Sequence, residues 1–174
     1  MMNEMVILVD ENDKEIGIEE KMKAHQGGKL HRCFSIFIFN PNGEMLLQRR
    51  ANSKYHSGGL WTNACCSHPR PGENIEQAAN RRLKEELGFD CELKELSNFI
   101  YKVKLDHGLT EHEFDHVLIG KYDGEIRPNK NEVSEIMWIS IDDLKEEIKK
   151  HPEKFTEWFK IAFRKFSELS GNRN

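Results

Sequence analysis

Two thiols, a hydroxyl and an imidazole occupy four consecutive positions of this chain, the segment Cys65–His68. Pro69 and Pro71 end that segment, so we predict a loop that is held by the charged helix after it, an arrangement typical of functional sites. A thiol beside a bound cation could have a lowered pKa and could transfer protons or act as a nucleophile. Cysteine is also among the most buried residue types, so a purely structural role stays open for Cys65 and Cys66.

Histidines and glutamates supply a second chemical pattern. Glu111 and Glu113 are two residues apart, so on a strand both carboxylates would project from one face. Together with His25, His31 and His68 they form a mixed nitrogen and oxygen set that would suit a five- or six-coordinate divalent cation. Spacing alone does not bring these segments together, and each side chain could equally be an ordinary surface residue.

Charged residues near the helix suggest a place for an anion. Glu85 and Glu86 follow Arg81 and Arg82 at i, i+4, which stabilises a solvated helix by about 0.3–0.5 kcal/mol for each pair. Carboxylates at a helix end are disfavoured by the macrodipole, and a hard cation such as Mg²⁺ would compensate. A phosphate could be held by a group of cationic residues: Lys21, Arg50, Lys54 and Arg82. Solvation of each charge is the ordinary alternative.

The elements that must position these side chains follow from hydrophobic periodicity and turn residues. We predict strands at 5–10, 16–18, 30–39, 44–50, 91–105, 114–122 and 133–139. Helices are predicted at 19–24, from Asn74 to Gly88, from Ser140 to 150, and at 155–169, with a loop at 25–29. This order of elements indicates an α+β fold, an α/β/α sandwich with a mixed sheet flanked by helices.

Size and composition limit the function classes. A length of 174 residues suits one domain with a real core. A net charge of −4 disfavours a nucleic-acid partner, and no run of 18 apolar residues is present to span a membrane. The N-terminus does not have the pattern of an export signal, so we expect a cytoplasmic protein whose four cysteines are reduced.

The predicted helix resembles the Nudix box, G-x5-E-x7-R-E-U-x-E-E-x-G-U, where U is a bulky aliphatic residue. The matching positions are Glu73, Arg81, Leu83, Glu85, Glu86 and Gly88. Ser67 stands in place of the first glycine, and Arg82 stands where the box has a glutamate. Nudix hydrolases use that glutamate to bind catalytic metal, so the resemblance implies the Nudix fold more strongly than hydrolysis.

The chain as a whole resembles the type 1 isopentenyl-diphosphate Δ-isomerases. WTNACCSHP and TEHEFDH are similar to the two main motifs of that family, and the agreement runs from Lys21-x3-His25 through RRANSK to FTEWF. The resemblance implies a single Nudix-like isomerase domain over 1–174, with an N-terminal extension at 1–29 and an added C-terminal helix at about 152–174. It also implies a small isoprenoid diphosphate as substrate and a monomer or weak homodimer.

Site residues implied by the resemblance fall into three groups. One divalent metal, Mn²⁺, Zn²⁺ or Mg²⁺, would be bound by His25, His31, His68, Glu111 and Glu113, and Glu86 would hold a second Mg²⁺ that bridges to the diphosphate. The diphosphate would be contacted by Lys21, Arg50, Lys54, Ser67 and Arg82. The catalytic residues would be Cys66 rather than Cys65, together with Glu113, Tyr101 and Trp158.

These residue types fit an isomerisation that adds a proton at one carbon and removes one from another. Protonating an alkene creates carbocation character, which requires a well-aimed acid and an aromatic face such as that of Trp158. A Nudix-type diphosphate hydrolase is the main alternative, and it would release phosphate. A non-catalytic metal- or nucleotide-binding module is the other; in that case Cys66→Ala would change nothing.

Overall fold

The computed structural model describes residues 3–171, so positions 1–2 and 172–174 of the predicted domain lie outside the described residues. The strands are β1 (Met5–Val9), β2 (Glu15–Glu20), β3 (His31–Phe39), β4 (Met45–Arg50), β5 (Trp61–Asn63), β6 (Cys65–Ser67), β7 (Leu93–Lys104), β8 (Thr110–Lys121) and β9 (Val133–Ile139). The helices are α1 (Lys21–Gly27), α2 (Ile75–Leu87), α3 (Ile141–Lys150) and α4 (Glu157–Gly171). Short 3₁₀ turns lie at Asp106–Gly108 and Pro152–Lys154.

Strand β3 organises a mixed sheet. It runs parallel to β8 over nine register pairs, from His31 opposite Glu113 to Phe39 opposite Lys121, and it pairs antiparallel with β6 on its other side. Strand β4 follows after a tight turn and pairs antiparallel with β5 and β9. Gly43, with φ of 76°, gives that turn its left-handed residue. The parallel β3–β8 pair places the N-terminal ends of both strands side by side.

Alternation along β3 separates two cores, because successive side chains point to opposite faces. Phe34, Ile36 and Ile38 pack with Leu83 and Leu87 of α2. Phe37 on the other face packs with residues of α4, including Phe159. Helices therefore cover both faces of the sheet, which confirms the predicted α/β/α sandwich and its C-terminal helix.

Helix α2 has the ends that its sequence predicts. The Asn74 side chain accepts a hydrogen bond from the Gln77 backbone, and the Gln77 side chain accepts one from Asn74 in return. At the other end Gly88 adopts φ of 77°, and a Cβ there would lie 2.9 Å from the carbonyl oxygen of Arg127. A glycine is thus required both for the helix end and for the close approach of the following chain.

Three local predictions were wrong. The segment Cys65–His68 is not a loop, because residues 65–67 form β6 and pair with β3 before the prolines end the strand. His25 is not in a loop either, because α1 continues to Gly27 and ends at Gly28 with φ of 60°. The glycine pair does stop the helix, but three residues later than predicted. Strand β8 also starts earlier than predicted, at Thr110, because residues 110–113 pair with the end of β7.

Candidate active site

One pocket gathers side chains from α1, β4, β6, α2, β8, α4 and the connector that follows β4. Among the predicted site residues, those lining it are Lys21, Arg50, Lys54, Cys66, Ser67, His68, Arg82, Glu86, Glu111, Glu113 and Trp158. The other three contact lining residues: His25 lies 4.0 Å from Glu111, His31 lies 3.3 Å from Glu113, and the Tyr101 hydroxyl donates to Glu113. The fold therefore brings all the predicted site residues together.

Four buried side chains form what we call the histidine–glutamate cluster: His25, His31, His68 and Glu113. Each offers one ligand atom, and these atoms all lie within 4.8 Å of one another. The Nε2 atoms of His31 and His68 are 3.2 Å apart, and His68 Nε2 is 2.9 Å from a Glu113 carboxylate oxygen. Such a concentration of nitrogen and carboxylate donors around one point could hold a metal ion.

Backbone contacts orient two of these imidazoles. The Nδ1 atom of His25 lies 2.7 Å from the carbonyl of Lys21, and that of His31 lies 2.8 Å from the carbonyl of Lys29. A carbonyl only accepts, so each Nδ1 carries a hydrogen and each Nε2 points into the cluster. Within residues 3–171 the buried Nε2 of His25 has no hydrogen-bond partner. A buried nitrogen without a hydrogen-bond partner is a suitable ligand for a divalent cation, and the cluster could hold one.

Glu111 and Glu113 project from the same face of β8, as predicted, and share the hydroxyl of Tyr101. That hydroxyl is 3.0 Å from Glu111 and 2.5 Å from Glu113. Burial and the neighbouring Glu113 raise the pKa of Glu111 well above its usual range. Burial also opposes ionisation of Glu113, but hydrogen bonds with His31 and His68 hold its pKa well below that range. Two adjacent carboxyl groups thus have opposite protonation preferences, a pattern typical of acid–base sites.

The adjacent cysteines lie on opposite faces of β6. Cys65 is fully buried in the core that packs against α2. Cys66 faces the pocket, where its sulfur lies 3.0 Å from the Asn63 side-chain oxygen and 3.3 Å from the Ser35 hydroxyl. Burial raises the pKa of the Cys66 thiol well above its usual range, and the nearby Asp115 adds to that effect. The period of the strand separates a structural thiol from one that reaches the pocket.

Within residues 3–171, three of the four cationic side chains at the cationic end of the pocket pair with carboxylates, and Arg50 does not. Lys21 lies 3.0 Å from Glu4, and Lys54 lies 2.5 Å from Glu132. Arg82 reaches one oxygen of Glu86, while Gln48 donates to the other oxygen at 2.7 Å. Glu86 is only 6% exposed, so its place at the end of α2 is stabilised by these two donors.

Sequence reasoning missed an aromatic group beside Trp158. The Arg50 guanidinium stacks 5.1 Å from the Trp158 ring, and the His56 ring meets Trp158 edge-on at 5.5 Å. Burial and the nearby Arg50 lower the pKa of His56 to about 3, so this imidazole is neutral. Tyr55 contacts both His56 and Lys21. Tyr55 and His56 were not predicted as site residues. Both belong to the polar stretch after β4, where nothing in the local sequence pattern indicates a place beside the pocket.

The fold is shared with proteins of one large superfamily. A family model described as NUDIX domain matches residues 29–159. A solved structure from Deinococcus radiodurans superposes with a TM-score of 0.70 at 21% identity, covering 85% of this chain and 90% of that one. A MutT protein from Methanosarcina mazei Go1 gives 0.67 at 19% identity, covering 83% and 96%. These likenesses concern the fold alone, and they define a Nudix-type domain.

Relatives at higher identity narrow the class. Isopentenyl-diphosphate Delta-isomerase 2 of Photorhabdus laumondii is 52% identical over 159 residues, covering 91% of this chain and 90% of the relative. Isopentenyl-diphosphate Delta-isomerase of Serratia proteamaculans is 52% identical over 158 residues, covering 91% and 88%. The chain belongs to the isopentenyl-diphosphate Delta-isomerase family of Nudix proteins. Within residues 3–171, no helix is long and apolar enough to cross a membrane.

Proposed function

We propose that this protein interconverts isopentenyl diphosphate and dimethylallyl diphosphate, a step in isoprenoid precursor synthesis. The observation that carries the proposal is one pocket lined by a thiol, paired carboxyl groups and cationic side chains, beside the histidine–glutamate cluster. Its support is the identity of about half of all aligned residues with curated isomerases.

Metal binding falls to the buried end of the pocket in this proposal. His25, His31, His68 and Glu113, with Glu111 beside them, would hold one divalent cation, Mn²⁺, Zn²⁺ or Mg²⁺, and Glu86 would hold a Mg²⁺ that accompanies the diphosphate. When bound, a cation at the cluster would draw charge from Glu113 and make a proton there more acidic. Burial and the neighbouring Glu113 raise the pKa of Glu111, which favours its protonated form in the metal-free protein.

Diphosphate binding falls to Lys21, Arg50, Lys54, Ser67 and Arg82. Two of these cations already pair with carboxylates, Lys21 with Glu4 and Lys54 with Glu132. An incoming phosphate would therefore replace a carboxylate as the anion that each lysine contacts. Arg82 stands where a Nudix hydrolase has a metal-binding glutamate, and its cationic side chain contacts Glu86. The loss of that carboxylate ligand disfavours the alternative of a Nudix-type diphosphate hydrolase.

Proton transfer would use the groups at the two sides of the substrate's hydrocarbon end. The carboxyl pair with Tyr101 supplies a proton to the terminal alkene carbon of isopentenyl diphosphate, and the adjacent carbon becomes a tertiary cation. Cys66, as the thiolate formed when its S–H proton is lost, then takes a proton from the methylene carbon between that centre and the diphosphate arm, which completes the shifted double bond and restores the thiol. The indole of Trp158 would stabilise the cation through its ring face, worth about 2 kcal/mol or more when desolvated.

A direct assay tests this proposal. The metal-replete protein is incubated with isopentenyl diphosphate and Mg²⁺, and both dimethylallyl diphosphate and inorganic phosphate are measured. We expect isomer to accumulate to a fixed ratio with no phosphate released. Phosphate without isomer would instead support the hydrolase, and neither product from metal-replete protein would overturn the isomerase proposal.

A further inference from the structure

A chain of hydrogen bonds connects the Cys66 thiol to a carboxylate on another strand. Ser35 lies directly opposite Cys66 in the β3–β6 register, and its hydroxyl oxygen is 3.3 Å from the Cys66 sulfur. The same hydroxyl donates to Asp115 of β8 at 2.8 Å. Asp115 also accepts a hydrogen bond from the Cys33 thiol at 3.3 Å. Three neighbouring strands thus each contribute to a network behind the pocket.

The direction of each hydrogen bond follows from the number of available hydrogens. A serine hydroxyl has one hydrogen, and Ser35 gives it to Asp115, so its oxygen presents lone pairs to Cys66. The amide nitrogen of Asn63 donates to the carbonyls of Ile36 and Cys65 at 3.0 and 2.9 Å, which leaves its oxygen facing the thiol. Both neighbours of the Cys66 sulfur are therefore acceptors, and the S–H bond points between them.

The burial of Asp115 lowers the stability of the folded protein. Its side chain is 0% exposed, and in the described part of the chain it forms no ion pair; its two donors are one hydroxyl and one thiol. Burying a carboxyl group away from water destabilises a fold, because two weak donors only partly replace its hydration. One use for such a group is to orient a functional side chain.

We propose that Ser35, held by Asp115, is a positioning residue that aims the Cys66 thiol at the substrate. This inference rests on the proposed isomerase function and adds residues that touch no substrate. Without Ser35, Asn63 alone would orient the sulfur, and the thiol would rotate about its Cα–Cβ bond. Misalignment of a proton-transfer group lowers the chemical step more than it lowers substrate binding.

A matched pair of variants separates positioning from packing. Ser35→Ala and Cys33→Ala each remove one donor to Asp115, but only Ser35→Ala removes a contact with Cys66. We expect Ser35→Ala to lower kcat on the order of 10-fold, with KM changed less than about 2-fold, and Cys33→Ala, which keeps the Ser35–Cys66 contact, to lower kcat clearly less. Ser35→Thr, which restores a hydroxyl, should recover part of the loss.

Asp115→Asn is the second variant, needed if Ser35→Ala does not fold, since it keeps the side-chain volume. It should also lower kcat about 10-fold, because Ser35 then loses its charged acceptor. A wild-type kcat in whichever of the two variants folds would overturn the proposal. Equal losses in Ser35→Ala and Cys33→Ala would also overturn it, since the effect would then come from Asp115 or the core alone.

A substrate-independent measurement distinguishes failure of this inference from failure of the proposed function. Alkylation of Cys66 by iodoacetamide at one fixed pH, followed by peptide mass spectrometry, reports how the surroundings of the thiol set its reactivity, with no substrate present. We expect the rate in Ser35→Ala to differ at least about 3-fold from wild type and that in Cys33→Ala to match it. Equal rates in all three proteins would overturn the positioning role even if the wild type is an active isomerase.

Discussion

The two faces of strands β3 and β6 are built for different purposes. The face toward α2 is apolar and closed, with Phe34, Ile36, Cys65 and Leu83 all 0% exposed. The face toward α4 buries His31, Ser35 and Cys66 on the same two strands, next to the carboxyl groups of β8. The α4 face also has an apolar core around Phe37, so it is polar only at the His31–Ser35 end of β3. There, neighbouring residues of one strand belong to a hydrophobic core on one side and to a polar site on the other.

This difference shows where the molecule gains and loses stability. Burial of apolar side chains on the α2 face contributes about 25 cal/mol for each Å² removed from water. The α4 face instead holds a bare imidazole nitrogen on His25 and the cation-free carboxylate of Asp115. Buried polar groups of this kind oppose folding unless a ligand or a network satisfies them. The stability gained from the apolar core on the α2 face offsets the stability lost by burying these polar groups on the α4 face.

Replacing Cys65 and Cys66 by alanine one at a time should produce the largest difference in turnover between the two faces. We expect Cys66→Ala to lower isomerase turnover by about 10³-fold or more with little change in the melting temperature, because general acid–base groups contribute on that order. Cys65→Ala should keep most of the turnover and lose about 1–2 kcal/mol of stability, because it opens a small cavity in the core. Turnover assays and thermal melts check both. Equal loss of turnover in the two variants would show that the strand face does not decide the role.

Metal binding at the histidine–glutamate cluster on the α4 face should increase the free energy of unfolding. We expect Mn²⁺ at about 100 times its dissociation constant to add about 2.7 kcal/mol to the free energy of unfolding, because the cluster binds only when folded. His31→Gln should abolish that gain. His112→Gln is the matched control, because His112 lies on the other face of β8 and contacts the Gly28 carbonyl. Calorimetry with and without chelator measures the gain, and an equal loss in the control would contradict a local site.

Lowering the pH should reduce the free energy of unfolding through buried histidines of the site, and this effect is smaller. The pKa of His56 is about 3 in the folded protein and about 6.5 in the unfolded chain, so the unfolded chain binds more protons between these values. Stability is therefore complete above pH 6.5 and falls as the pH drops toward 3, by roughly 2 kcal/mol between pH 7 and 4.5.

Denaturant melts of metal-free protein across that range test the prediction. His56→Phe should reduce the slope of stability against pH without removing it, because His68, whose pKa burial lowers to about 4, responds in the same window. Replacing the exposed His107 by Gln should leave the slope unchanged. A slope in His56→Phe equal to that of the wild type would contradict the buried, neutral state of His56.

Much of the fold follows from local sequence. Alternation placed β3, β4 and β9 within one residue of their observed bounds, and Asn74, Gly88 and Ser140 mark real helix ends. The Cys65–Ser67 strand was missed because three residues are too few to show a period, and its pairing partner is some 30 residues away. His25 was misplaced because either of two glycines could end α1, and only packing selects Gly28 as the cap.

The residue types, most of the elements that carry them and, through resemblance, the family can all be read from the sequence. The meeting of His25 from a helix, His31 from a strand and His68 after a strand at one point is visible only in the folded protein. The same holds for Cys66 facing the pocket while Cys65 faces the core, and for Asp115 reaching Ser35 from β8. Periodicity reports which face a residue takes within its own element. Contacts between distant segments depend on how those elements pack, which no local pattern records.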